Sequence, residues 1–536
     1  MLDIIIQNGR VIDGTGAPAA TTDVGVQEGR IVSIGELTEN EARTMIDAEG
    51  CVVTPGFIDM HSHADFTLPV CPTADSLLHQ GITTAVVGQC GVSPYPLCPE
   101  TRDQVLAMME GVRIPWAEWT DLGSYLRYIM QGGVSINVVP LVGHGMIRAA
   151  VMGYSPDPAT ASDVRQMRAE ITRAMEQGAI GVSTGLMYPP GSYASTEELI
   201  QVLACVGERG GYYFSHIRGE SGTLLEAIGE AVEIGWAAGT SVQISHLKAA
   251  GKENWDKLPE ALELIRHARE QGLDISSDAY PYTCGSTDLV SFLPEWAQAG
   301  GKASILSRLR DMEVRDRMRT EMATATSYGF VDLGDLLVTN CPERRDYEGR
   351  SVGQLAHGAG SSAIDWVLDA LRETHLSMTV NIPMASHENI ERLVQDPTVL
   401  FGTDGFALEA DSSRNPGVQR HPRSFGTFPR LLGRFVREKG LLGLEEAIHR
   451  MTGLPARRLR LKARGILEPG YAADLVVFDP DTVEDTATYA IPENYARGIR
   501  HVVVNGQCVV HEEAHTDARP GVHLGRSPRW RTGERP

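Results

Sequence analysis

Pro55-Gly56-Phe57-Ile58-Asp59-Met60-His61-Ser62-His63 is a short apolar run that closes on two histidines. A Pro-Gly pair opens it, and Phe57, Ile58 and Met60 give it the character of a buried strand. Residues two apart on a strand share a face, so His61 and His63 point the same way from one strand end. Seven more apolar runs read as strands of the same kind, namely Thr83–Cys90, Ile136–Gly143, Ala179–Leu186, Gly211–His216, Ser241–Lys248, Leu273–Tyr280 and Val399–Asp404. Helical patterns lie between them, among them Ser162–Gln177, Ser195–Arg209, Thr223–Ala238 and Pro259–Gln271. Alternating strands and helices predict an α/β fold, and eight such units are what a (β/α)8 TIM-like barrel requires.

Pro281 to Gln395 is too long for one crossover. It holds a strand pattern at Asp332–Thr339 and charged helical patterns including Ile305–Met322, which predicts an insertion at 283–347 over the barrel mouth, between strands 7 and 8. Both chain ends carry short β-branched runs: Leu2–Ile6, Val11–Asp13, Asp23–Gln27, Arg30–Gly35 and Cys51–Thr54, then Asp474–Phe478, Ile499–Asn505 and Cys508–Val510. They predict a small β-sandwich domain built from residues 1–55 and 461–536, flanking a barrel of 56–460. The Arg-, Pro- and Gly-rich tail from Asp517 is expected to pack poorly or to wrap a neighbour.

The 536 residues carry 48 basic against 69 acidic side chains, a formal charge of −21. Nucleic acid and anionic membranes both need basic patches, so neither is an expected partner. No run approaches the 18 or so apolar residues of a membrane span. Met1-Leu2-Asp3-Ile4-Ile5-Ile6 lacks the basic opening of a signal peptide. The eight scattered cysteines form no framework spacing, which points to buried thiols or metal ligands in a reducing, cytoplasmic setting.

Barrel active sites form at the C-terminal ends of the strands. There strand 1 ends in His61-Ser62-His63, strand 2 in Cys90, strand 5 in His216, strand 6 in His246 and strand 8 in Asp404. Arg218 shares a face with His216, and Lys248 with His246. Any one of these histidines is ordinarily a core residue, and Cys90 alone is ordinarily a small buried hydrophobe. All six together at one mouth make a borderline-soft cation such as zinc the natural guest.

The opening Pro55–His63 stretch resembles the first metal motif of the amidohydrolase superfamily. Asn8-Gly9-Arg10-Val11-Ile12-Asp13-Gly14 and Gly470-Tyr471-Ala472-Ala473-Asp474-Leu475 resemble its usual bookends. Finer motifs resemble the N-acyl-D-amino-acid deacylase (D-aminoacylase) branch: Gly88-Gln89-Cys90-Gly91, Ser183-Thr184-Gly185-Leu186-Met187-Tyr188, His216-Ile217-Arg218-Gly219-Glu220, Ser245-His246-Leu247-Lys248 and Gly402-Thr403-Asp404-Gly405. His421-Pro422-Arg423 and Gly426-Thr427-Phe428-Pro429-Arg430 complete them, and the likeness runs from about residue 2 to 525. Gln89 stands where the better-known members are expected to have Asn, and Phe406–Gln419 looks longer than theirs, so acyl and side-chain preferences carry over least.

The resemblance implies a zinc-dependent hydrolase of N-acyl-D-amino acids, a small-molecule substrate, with no indication of oligomeric state. Cys90, His216 and His246 would hold one tight zinc; His61, His63 and Asp404 would form a weaker second site. Hydantoinase- and dihydroorotase-like relatives bridge two metals with a carboxylated strand-4 lysine. No lysine lies in Ala179–Leu186, which leaves the Cys90 thiolate to take that place. Asp404 would pass the water's proton to the departing amine. Lys248, Arg423 and Tyr188 would receive the substrate's carboxylate. Two alternatives stand beside this: a hydrolase of cyclic amides, ureides or D-residue peptides on the same barrel, and a catalytically inactive binding or assembly protein.

Overall fold

The computed structural model describes residues 1–37, 41–108, 119–324, 331–411 and 420–525. Eight parallel strands occupy the predicted runs: β1 (Phe57–Asp59), β2 (Ile82–Val87), β3 (Asn137–Pro140), β4 (Gly181–Gly185), β5 (Tyr212–His216), β6 (Ser241–Ile244), β7 (Ile275–Ala279) and β8 (Val399–Phe401). β1, β2 and β3 pair in one sheet; Val142–Gly143, which prolongs β3, pairs with β4 and leads through β5, β6 and β7 to β8 in another. Leu141 N donates to Val87 O at 2.8 Å and Ile180 N to Pro140 O at 2.9 Å, carrying the pairing past β3. Met60 N donates to Phe401 O at 3.1 Å and Asp404 N to His61 O at 2.7 Å, so backbone bonds also join β1 to β8.

Every residue of β2, β4 and β5 is buried, which is why these runs lack charged side chains and show no alternation of apolar and exposed polar positions. Helices cover them, and their starts are written locally. The helix Ala161–Gln177 opens on Thr160, whose hydroxyl accepts from Asp163 N at 3.3 Å while the Asp163 carboxylate accepts from Thr160 N at 2.8 Å. It buries Val164, Met167, Ile171, Ala174 and Met175, one stripe at helical spacing. Truncating Ile171 to Ala there would cost about 2–5 kcal/mol.

The two chain ends share one nine-stranded sheet. Its strand Leu2–Val11 shifts register between Ile6 and Gly9, so its first half pairs with Ala42–Asp47 and its second with Val52–Pro55. Only glycine fits at position 9, because a Cβ there would fall 2.4 Å from Val53 Cγ2. Leu475–Phe478 pairs antiparallel with Val52–Pro55 and sews the ends together. The strands of the predicted small β-domain are thus joined in one hydrogen-bonded path, in which the bulged strand serves two neighbours along one edge, with its own core around Ile4, Ile6, Val24, Val53, Leu475 and Val503.

Between β7 and β8 lies a three-stranded antiparallel sheet of Cys284–Asp288, Thr379–Pro383 and Leu337–Asn340, in that spatial order. A separate core of Leu289, Phe292, Leu309, Val338, Leu371 and Val380 underlies it. The sheet needs its third strand at 379–383, so the inserted layer reaches past the predicted limit of residue 347. The predicted helix Ile305–Met322 is two helices, Gly301–Arg310 and Met312–Thr324. Asp311 turns extended between them, and its carboxylate accepts from Glu313 N at 3.0 Å and Val314 N at 3.2 Å, capping the second.

Asp517 to Gly525 is not loose. Gly521 N donates to Val134 O at 2.7 Å and Leu524 N to Val138 O at 2.8 Å, so the segment pairs with its own chain beside β3. The rest of the tail, and residues 412–419 of the long stretch after Asp404, lie outside the described residues. Among the described residues no helix is long and apolar enough to cross a membrane.

Candidate active site

All six predicted strand-end residues face one another, each buried. His61 and His63 follow β1, Cys90 follows β2, His216 ends β5, His246 follows β6 and Asp404 follows β8. Cys90, His246 and Asp404 hold φ of 53°, 35° and 50°, a left-handed backbone that costs non-glycine residues about 1–3 kcal/mol each and collects at functional sites. Surrounding contacts hold the turns in place. Gly91 packs so tightly that a Cβ would meet Gly185 N at 2.5 Å, and Gln89 Nε2 donates to Met60 O at 3.1 Å, tying the cysteine turn to β1. The Gln89 departure therefore falls on a bracing side chain.

Two sets of donor atoms meet at Cys90: His61, His63, Cys90 and Asp404 in one, and Cys90, His216 and His246 in the other, each set lying within 4.8 Å. Cys90 Sγ is 3.3 Å from His61 Nε2 and 3.4 Å from His246 Nε2. Asp404 Oδ1 is 3.2 Å from His63 Nε2 and 3.4 Å from His61 Nε2. Both ring nitrogens of His216 are buried with no hydrogen-bond partner among the described residues.

Burial alone would push the Cys90 thiol up, but the His61 and His246 imidazoles hold it well below its ordinary value. Burial opposes a charge on His61 and His63 as well, yet the facing thiolate and carboxylates raise His61 far above its ordinary value and His63 to about 9. The pocket is thus a place where anionic donors demand positive charge. A divalent cation would answer that demand, with the thiolate, the carboxylate and deprotonated imidazole nitrogens as donors.

The three predicted carboxylate-binding residues line one cavity of about 500 Å³, to which Val290, Met378 and Met384 of the inserted layer also contribute. Their commitments differ. Lys248 Nζ lies 2.6 Å from Glu220 Oε1 and 2.9 Å from His246 Nδ1, so its ammonium is turned toward the histidine wall. Arg423 Nη1 lies 2.5 Å from Asp404 Oδ2, while its Nε is buried with no hydrogen-bond partner among the described residues. Tyr188 stands edge-on to His216 at 4.9 Å between ring centroids. Arg218, predicted to share a face with His216, lies past the end of β5 and is spent elsewhere: it binds Glu230 at 2.9 Å and the Ser192 and Ala194 carbonyls.

Two carboxylates that the sequence reading gives no role complete the site. Asp278 Oδ1, in β7, lies 3.3 Å from His61 Nδ1 and accepts from His246 N at 2.7 Å. Glu220 Oε1 lies 3.0 Å from His246 Nδ1. Burial would raise Glu220, but Lys248 and then His216 and His246 hold it far below its ordinary value. Carboxylates on the outer nitrogen of a histidine fix its tautomer and orientation, as around metal ligands generally. The strand-end rule that picks out His216 and His246 also points, when applied to β7, to Asp278. Glu220 lies in the His216–Glu220 motif, but its spacing from His216 does not say which histidine it will face.

The sequence profile described as Amidohydrolase family matches residues 44–204 and 399–510. The D-aminoacylase of Alcaligenes xylosoxydans xylosoxydans is 36% identical over 526 residues, covering 98% of this chain and 97% of that protein. The N-acyl-D-glutamate deacylase of the same organism is 35% identical over 527 residues, covering 98% and 97%. Among solved structures, N-acyl-D-glutamate deacylase from Bordetella bronchiseptica, complexed with zinc and a phosphonate inhibitor that mimics the tetrahedral intermediate, superposes with a TM-score of 0.83. It is 35% identical, and the match covers 98% of this chain and 100% of that one.

Proposed function

The chain belongs to the amidohydrolase family, and we propose on that premise that it is a metal-dependent hydrolase cleaving N-acyl-D-amino acids to a carboxylate and a free D-amino acid. Its fold is a TIM barrel with a small β-domain. We read the eight strands as a closed barrel, on the bonds from Met60 to Phe401 and from Asp404 to His61, and the domains as 1–55 with 461–536 around 56–460. No disulfide joins any of the eight cysteines, which supports the reducing cytoplasm as its place.

The donor set suits zinc: a depressed thiol, four imidazoles and a carboxylate, with buried ring nitrogens of His216 left for a ligand. We assign Cys90, His216 and His246 to a tight site, and His61, His63 and Asp404, sharing Cys90, to a weaker one. Zinc held there supplies Lewis acidity toward the amide carbonyl and acidifies water. Everything else falls to the protein's own groups. Asp404 must be ionised before it can take a proton, and Arg423 first among its neighbours keeps it so, against the pull of burial. Its Oδ1 faces the histidines and its Oδ2 faces Arg423. A substrate carboxylate that draws the Arg423 guanidinium onto itself frees Oδ2 and makes it more basic. Substrate binding thus arms the base: Oδ2 takes the water's proton and passes it to the amide nitrogen, which leaves as an amine. Tyr188 and Lys248 flank the same carboxylate in this reading.

The observation that carries the proposal is the cysteine shared by two donor sets beside a buried Arg–Asp pair, in a chain this similar to deacylases. An assay panel of N-acetyl-D-amino acids, their L forms, hydantoin and dihydropyrimidine tests it. Turnover is expected for D substrates alone. Faster turnover of a cyclic ureide or of L forms would overturn it.

A further inference from the structure

A third group of metal-type donors lies outside the barrel, on a hairpin of the β-domain's C-terminal part. Ile499–Val504 and Gln507–His511 pair antiparallel, with Val503 opposite Cys508 and Val502 opposite Val510. Val509 is therefore an extra residue on one strand, a β-bulge. In a regular strand Cys508 would share its face with Val510, and His511 would point the other way. The bulge re-phases the strand, so that His511, three residues on, returns to the side of Cys508 and faces His501 across the ladder. The two imidazole centroids are 4.9 Å apart, and one donor atom each from His501, Cys508 and His511 lies within 4.8 Å of the other two.

We propose that His501, Cys508 and His511 form a further metal site, separate from the barrel's, that takes zinc or a similar borderline-soft divalent ion, with its outer position open to water. Tetrahedral zinc, with bonds of about 2.0–2.3 Å, needs donors roughly 3.3–3.6 Å apart, so small side-chain movements close the site. Two imidazoles and a thiolate favour zinc over the hard cations magnesium and calcium. The backbone ladder brings the donors together without an ion. His501 is buried to 8% exposure at the floor, Cys508 is half-buried and His511 is exposed at the rim, which leaves an entry path. The bonds these donors now make are weak ones. Cys508 Sγ donates to Val510 O at 3.0 Å, and His501 Nδ1 accepts from Glu512 N at 3.3 Å. A thiol is a poor donor, so exchanging such bonds for metal bonds costs little. The ion would clip together the two strands of this hairpin, far along the sequence from every residue assigned to catalysis.

The test uses the full chain. Wild type and His511→Ala, whose side chain is exposed and whose loss leaves the core intact, are stripped with chelator, reloaded with zinc, dialysed and analysed for metal. His511→Ala is expected to retain one equivalent fewer with unchanged hydrolytic turnover; equal zinc contents would overturn the proposal. Cobalt titration of Cys90→Ala supplies a second, optical reading. A cobalt–thiolate absorption is expected there and should vanish in Cys90→Ala/Cys508→Ser. Absence of that absorption from the first protein, or its survival in the second, would overturn the site as well.

Discussion

Arg423 Nη1 and Asp404 Oδ2 form a buried ion pair at 2.5 Å, in the wall of the cavity that Tyr188 and Lys248 also line. Tyr280 lies beneath the guanidinium, its ring centroid 5.0 Å from Cζ. His421 anchors the backbone: its Nδ1 accepts from Arg423 N at 3.0 Å and its Nε2 donates to Cys284 O at 3.0 Å. The pair therefore links the strand ends of the candidate site to the first strand of the inserted layer.

Replacing Arg423 with Gln removes the cation that depresses Asp404. A carboxylate whose pKa is held down is ionised to lower pH, so losing Arg423 raises that pKa. The acid limb of the kcat/KM profile is expected to move to higher pH, and kcat/KM at its optimum to fall about 10–100-fold, the value of a hydrogen bond to a charged group. An unmoved acid limb would remove Arg423 from control of the base.

Cys90→Ala deletes the donor common to both sets. Metal affinity and turnover are expected to fall together, by more than the 10–100-fold typical of groups that only orient ligands. His216→Asn and His246→Asn should behave alike, and His61→Asn and His63→Asn should lose less. Equal losses across all four histidines would mean that both metal positions are obligatory. Metal analysis and kcat on the same preparations decide it.

The strand ends are legible in the sequence because the side-chain period of a strand is fixed: His61 and His63 have to share a face, and βα alternation sets the order of Cys90, His216, His246 and Asp404. What escapes depends on contacts between segments distant in sequence. Nothing near Lys248 announces that Glu220 will take its ammonium, and nothing near Asp311 separates a cap from another helical acid. The third strand of the inserted layer, Thr379–Pro383, is recognisable only through partners some forty and ninety residues away. The tail's pairing with Val134 and Val138 is of the same kind, written in backbone bonds and not in composition.

Glu220→Gln keeps the shape of the side chain but withdraws the charge that holds Lys248 and faces His246 Nδ1. Metal affinity is expected to fall about 10–100-fold while the fold persists. The loss should be smaller in Lys248→Met/Glu220→Gln, where no ammonium is left unpaired beside the histidine. Affinity measured by chelator competition in the single and double variants checks this; wild-type affinity in Glu220→Gln would show that the carboxylate does not orient His246.

In the proposed mechanism Asp404 moves the proton, and the turnover number of Asp404→Asn at matched metal content tests that role most directly. The carboxamide preserves shape but cannot take up a proton at the required pKa. With the Cys90, His216 and His246 metal retained and an N-acyl-D-amino acid bound normally, kcat is expected to fall by about 10²–10⁴-fold or more. A kcat within about tenfold of wild type, in a preparation with full metal content, would remove Asp404 from proton transfer.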